Sequence, residues 1–253
     1  MSPITKPPRR QAGQSLRERL TLDVGGYIFY AGGALVATLM LVGVTWTCWL
    51  MARPVTPWAT TGAAVLILGL LVADLAPRLR RARNYRLGLQ GELHTAEWLG
   101  ELARSGYRVF HDLQGERGNI DHIAVGPAGV LVIETKTRSK SKGAKVRYDG
   151  ARLLVGDWDA TEQFLGQARA CRDDVRRRLR EYSEIAAQIP VRAVVAIPGW
   201  KVEERHASGA EVWVLNPKDR IAAWAVQEER WAGSVSQLSI DAASAMLDAW
   251  SRR

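Results

Sequence analysis

Two stretches of the chain interrupt its mixed polar and apolar pattern. Val24 to Ala52 runs 29 residues without a charged side chain, and Val55 to Ala73 runs 19. A helix needs roughly 20 such residues to cross a bilayer. The segment between them, Arg53-Pro54-Val55-Thr56-Pro57, holds two prolines and reads as a tight turn. Tyr27 and Tyr30 mark one end of the first stretch, and Trp46, Trp49 and Trp58 the other end and the turn. Aromatic residues at both ends suit the two interfaces of a membrane. The pattern predicts a transmembrane hairpin within residues 27–76, with helices over 27–51 and 56–75.

After residue 86 the pattern becomes that of a water-soluble α/β domain. Leu89, Leu93, Ala96, Leu99 and Leu102 form a helical stripe that Ser105-Gly106 should end. Strands are expected at Tyr107–Leu113, Asn119–Val125 and Val130–Thr137, with Gly126-Pro127-Ala128-Gly129 turning between the last two. The unbroken run Val130-Leu131-Val132-Ile133 suits a central strand covered on both faces. Tyr148–Val155 reads as a strand or hairpin arm, Ala160–Tyr182 as a long helix, and Arg192–Ile197 and Val212–Leu215 as strands. Ile221–Glu229 and Ser236–Arg252 read as helices. The order predicts a mixed sheet flanked by helices.

Charge sharpens this division. The chain has 253 residues and a net charge of +9, from 35 Lys and Arg against 26 Asp and Glu. A basic balance points to nucleic acid or an anionic membrane as partner. Eight of the nine excess charges lie in the first 86 residues, five of them in Arg78, Arg80, Arg81, Arg83 and Arg86. Residues 1–26 therefore read as a basic N-terminal segment, 77–86 as a basic juxtamembrane linker, and 87–253 as a nearly neutral domain with a C-terminal extension. Basic outer flanks place both termini in the cytoplasm, giving a multi-pass protein of a bacterial-type inner membrane. Two cysteines, Cys48 and Cys171, exclude a disulfide scaffold, and no Cys/His spacing suits zinc.

Candidate chemistry lies in the strands. Asp121 and Glu134 are thirteen positions apart around the glycine-rich turn, so strand pairing would bring them side by side. Glu134 and Lys136 share a face by the two-residue period. Converging carboxylates repel unless a cation bridges them, and hard oxygen donors suit Mg²⁺ or Mn²⁺. With a lysine alongside, such a group suits metal-assisted attack on a phosphodiester.

These residues resemble the PD-(D/E)xK nuclease superfamily, with its restriction-endonuclease-like fold. The wider series resembles the nuclease-related domain (NERD) family. It comprises Gly88-Leu89-Gln90-Gly91-Glu92, His111-Asp112, Gly118-Asn119-Ile120-Asp121-His122, Gly126-Pro127-Ala128-Gly129 and Val132-Ile133-Glu134-Thr135-Lys136. The resemblance covers roughly residues 86–182. It implies that Asp121, Glu134 and the Thr135 carbonyl are metal ligands, that Glu92 supports the metal site, and that Lys136 is the catalytic lysine. It also implies that Gln167 orients Lys136 or a phosphate. Phe164-Leu165-Gly166 departs from the family's Asn-Pro approach to that glutamine.

The segment after Lys136 carries Arg138, Lys140, Lys142, Lys145 and Arg147 without an acid, and reads as a phosphate-contacting loop. Aromatic residues are not interleaved with it, so single-strand specificity is not indicated. Arg169 to Arg180 reads as a solvated basic helix face, and His122 as a packing residue. The expectation is a membrane-anchored, Mg²⁺- or Mn²⁺-dependent nuclease hydrolysing phosphodiester bonds of DNA, with RNA the less favoured assignment. The alternative is a membrane-tethered nucleic-acid-binding or interaction scaffold that keeps the fold without turnover.

Overall fold

The computed structural model describes residues 9–53, 57–116, 118–204, 210–218 and 235–252. The helix expected at 221–229, Lys6, and residues 54–56 of the turn lie outside the described residues. The chain forms two compact units, residues 16–86 and residues 1–15 with 87–253.

The first unit is helical. Helix α1 (Gln14–Leu20) leads through a π-helical turn at Thr21–Gly25 into α2 (Gly26–Leu50). Helix α3 (Pro57–Arg104) opens on Pro57, whose missing N–H costs nothing in the first turn. It runs unbroken through residues 77–86, so the sequence expected as a linker is helical. Helices α2 and α3 are long and apolar enough to cross a membrane. Leu39, Met40, Leu50, Val65, Leu66 and Leu70 are all more than half exposed. Polar contacts hold the pair together: Trp46 Nε1 donates to Thr61 Oγ1 at 3.0 Å, and Tyr27 Oη to the Leu71 carbonyl at 2.8 Å. Thr45 and Thr60 hydroxyls meet at 2.9 Å. In an apolar medium such contacts, with dispersion, replace the hydrophobic effect as the packing force.

The second unit is α/β. Strands β1 (Arg108–Gly115), β2 (Gly118–Gly126) and β3 (Gly129–Thr135) form an antiparallel meander. Strands β7 (Val191–Ala196) and β9 (Val212–Leu215) extend it in parallel, giving the order β1-β2-β3-β7-β9. Helix α4 (Gly166–Tyr182) packs across β3 and β7; the short α5 (Glu184–Ala187) and α6 (Gln237–Trp250) follow on the same layer. Val130 and Val132 pack with Val175, Leu179 and Leu247 on that side. Leu131 and Ile133 pack with Leu99 and Leu102 of α3 on the other. Strand β3 is therefore buried along its whole length, as its apolar run predicts.

The single expected sheet is in fact two. Strands β4 (Val146–Tyr148), β5 (Leu153–Val155), β6 (Trp158–Asp159) and β8 (Val202–Glu204) form a small second sheet in the order β6-β5-β4-β8. These strands have only two or three residues each, too few to display a period. The long helix expected from Ala160 begins instead with a π-helical turn at Thr161–Leu165.

Two glycines fix where α3 meets the sheet. Gly106, at φ +86°, ends the helix, with the Tyr107 N–H returning to the Leu102 carbonyl. At Gly91 an added Cβ would lie 2.0 Å from Thr137 Cγ2. Gly91→Val should therefore push α3 off the end of β3, costing about 1–3 kcal/mol. Thermal melting of the full chain measures this, and an unchanged melting temperature would show the approach to be loose.

Candidate functional site

The site forms where the β2–β3 ladder ends. His122 lies opposite Ile133 in that ladder, which puts Asp121 beside Glu134 one step further on. Past the last rung, the Thr135 N–H donates to Asp121 Oδ2 at 2.7 Å, so the carboxylate takes over from a strand carbonyl. The Lys136 N–H returns to β7, donating to the Ala196 carbonyl at 2.8 Å. This fixes the backbone of Glu134-Thr135-Lys136 between two strands.

Glu134 and Lys136 both turn toward α4. Lys136 Nζ donates to Glu134 Oε1 at 2.8 Å and to Gln167 Oε1 at 2.7 Å. The Gln167 amide in turn donates to Glu134 Oε1. The three side chains close a ring of hydrogen bonds, and the face of Phe164 lies 5.6 Å from the ammonium. Cys171 Sγ, one turn along α4, approaches Glu134 Oε2 at 3.7 Å. Burial and the neighbouring carboxylates push its thiol up, so it stays protonated.

Glu92 enters from α3 and is buried. Loss of solvent, with the charges of Asp112 and Glu134, raises its carboxyl from 4.5 to about 7. Loss of solvent, then Glu134 and Glu92, holds Asp121 well above the ordinary carboxylate range. Lys136 lowers both but does not offset the excess. Ionising these carboxyls together is thus opposed unless a further cation is present.

Among the described residues, no three of His, Cys, Asp and Glu stand close enough together to hold a metal as they lie. The donors nevertheless fit a small hard cation. Such ions are commonly bound through one or two carboxylates and keep several waters. A bound cation would take the place of the protons that these crowded carboxyls tend to retain.

The sequence placed Asp112 in the family-like series without giving it a role, and did not single out the segment that answers it. Asp112 is 1% exposed and sits at φ +53°, a conformation Asp tolerates better than most residues. Its Oδ2 accepts from Arg10 Nε and Nη2 at 3.1 and 3.0 Å and from the Ser15 N–H at 2.9 Å. Its Oδ1 accepts from Ser15 Oγ and Asn119 Nδ2, each at 2.8 Å. The Gly13 N–H hydrogen-bonds the Glu92 carboxylate. Residues 10–15 therefore clasp the back of the carboxylate group. The pair His111-Asp112 does not by itself announce this clasp.

The remaining expected residues fall into two sets. Arg138, Lys140, Lys142, Lys145 and Arg147 are exposed, with Lys145 paired to Glu203 at 2.6 Å. The second basic run is largely occupied by acids. Arg169 and Arg172 bind Glu211 at 2.9 and 2.8 Å, and Arg177 and Arg178 bind Asp174. His122 faces away from Asp121 and is fully buried, its Nδ1 2.8 Å from His111 Nδ1. Burial holds both rings below their usual range, so they share one proton as neutral tautomers.

Comparison with known proteins adds one finding. Residues 87–198 match the family model of NERD, the nuclease-related domain. No curated protein and no solved structure matches the chain significantly.

Proposed function

We propose that this nuclease-related domain hydrolyses phosphodiester bonds of nucleic acid, DNA in the first place, using Mg²⁺ or Mn²⁺. The observation that carries the proposal is the convergence of Asp121, Glu134, Lys136 and Gln167 at one ladder end, where crowding opposes ionisation of the carboxyls without a cation. Asp121, Glu134 and the Thr135 carbonyl would hold the cation, with Glu92 behind them. Bound there, the cation supplies charge neutralisation at the phosphate and lowers the pKa of a coordinated water. Lys136 places a fixed positive charge beside the scissile phosphate, where negative charge grows as water attacks phosphorus. Gln167 holds the ammonium in place through its side-chain oxygen. The motif order and the meander extended in parallel support a restriction-endonuclease-like reading of the larger sheet.

The apolar pair α2 and α3 supports a membrane anchor. Residues 9–15 and 87–252 flank that pair and share one compact unit, which supports a hairpin with both flanks on one face. The arginines at 78–86 favour the cytoplasmic face and suit anionic lipid headgroups.

The test uses the full chain in detergent micelles. With Mg²⁺ or Mn²⁺ it should convert plasmid and linear DNA to shorter products, and EDTA should stop the reaction. A folded protein that cuts neither DNA nor RNA with either metal would instead favour the binding scaffold. The absence of a ready-made cage of three ligands among the described residues is the observation on that side.

A further inference from the structure

Folding changes the reading of the basic segment after Lys136. In sequence it holds no aromatic residue, but the second sheet brings two tryptophans onto it. Arg138, Lys142, Lys145, Arg147, Trp158 and Trp200 line an open groove of about 780 Å³. The Arg138 guanidinium lies 4.4 Å from the centroid of Trp158, and Lys140 Nζ lies 5.6 Å from that of Trp200. Trp200 is 4% exposed and donates from Nε1 to the Arg138 carbonyl at 3.3 Å, which pins the loop from behind. Trp158 is half-buried, its ring set edge-on against Phe164 at 5.2 Å. Phe164 is the ring beneath Lys136. One aromatic residue therefore separates the groove from the candidate catalytic lysine.

We infer that this groove binds an unpaired stretch of nucleic acid, with a base stacked on the Arg138–Trp158 pair and the backbone running over Lys142 and Arg147 toward Lys136. The inference rests on the nuclease reading and names its substrate: a single-stranded end, flap or gap, in place of an intact duplex. Guanidinium planes and indole rings both stack on bases irrespective of sequence, and neither reaches a base inside a duplex. Arg138 already lies over Trp158, so its flat guanidinium face is set for a base without further ordering. The lysines add a salt-sensitive, sequence-independent contribution from the phosphates. A plain polyanion site would need the basic side chains but not the indole.

The experiment measures binding apart from cleavage. The full chain in detergent micelles is titrated, in EDTA, into a fluorescent single-stranded oligonucleotide and into its blunt duplex, with anisotropy as the readout. The single strand should bind more tightly. Trp158→Leu, which keeps apolar volume against Phe164, should weaken single-strand binding about 10-fold, in line with the loss of one stacked base. Trp158→Phe should restore most of it, and duplex binding should change little. Equal affinity for both DNAs, or equal single-strand affinity in Trp158→Leu and the parent, would overturn the inference. So would polyglutamate competing as well as the oligonucleotide, since that marks a site for charge alone. Tight, Trp158-dependent binding by a protein that never cleaves would leave the groove standing and remove the nuclease reading. Cleavage of duplex and single strand alike, with Trp158→Leu without effect, would do the reverse.

Discussion

Lys136→Ala should lower cleavage by about 100-fold or more, the scale on which losing one positioned electrostatic or proton-transferring group reduces enzymatic rates. The ammonium donates to Glu134 and Gln167 and lies over Phe164. Its loss has a second consequence that separates chemistry from folding. Lys136 lowers the carboxyls of Glu92 and Asp121, so without it ionisation of the metal-free site is still more strongly opposed. The variant should melt lower than the parent in EDTA, yet gain at least as much from Mn²⁺. Loss of cleavage together with a retained Mn²⁺ response assigns Lys136 to the reaction. Cleavage that survives the substitution would remove it from the site.

Asp121→Asn should have the opposite effect on stability. Asp121 stands well above the ordinary carboxylate range because it is desolvated beside Glu134 and Glu92. Asparagine keeps an oxygen for the Thr135 N–H and removes the charge. In EDTA near pH 8 the variant should therefore melt several degrees above the parent, while cleavage disappears. The pH dependence has a definite sign. Glu92 has a folded-state pKa raised from 4.5 to about 7, so the folded protein holds a proton that the unfolded chain releases. The associated stability is full below about 4.5 and is lost as pH rises through 7, on the order of 2–3 kcal/mol. Mn²⁺ competes with those protons, so its stabilisation of the parent should be larger near pH 8 than near pH 5.5. An Asp121→Asn variant that melts lower than the parent, or that keeps the full Mn²⁺ response, would rule out Asp121 as a ligand.

The parts legible in the sequence were those written in periods and local punctuation. The run Val130–Ile133 identified the central strand because a strand covered on both faces cannot alternate. Thirteen positions around a Gly-Pro-Ala-Gly turn were enough to place Asp121 beside Glu134, since antiparallel register follows once the turn is set. Gly106 marked the end of α3 by the same local logic. What was missed depends on contacts distant in the chain. Trp158 and Trp200 lie 20 and 62 residues from Arg138, so sequence adjacency was the wrong place to look for stacking rings. Strands of two or three residues are defined by their partners, which hid the second sheet. Asp112 gains its role from Arg10 and Ser15, 102 and 97 positions away, through a backbone angle that no residue pattern encodes.

That last contact bears on how the protein matures. Asp112 needs Arg10 and Ser15, and the chain between them and Asp112 forms the apolar pair of helices. Closing a free loop of about a hundred residues carries an entropic cost that grows with the logarithm of its length. A hairpin that returns the chain to the face it left shortens the loop to little more than its two ends. If the pair inserts as the proposed anchor, it would raise the effective concentration of Arg10 at Asp112. A chain whose second helix failed to insert would strand the two on opposite faces, leaving a buried carboxylate without its cation. Under the proposed membrane anchor, the clasp would couple completion of the domain to the topology of the hairpin.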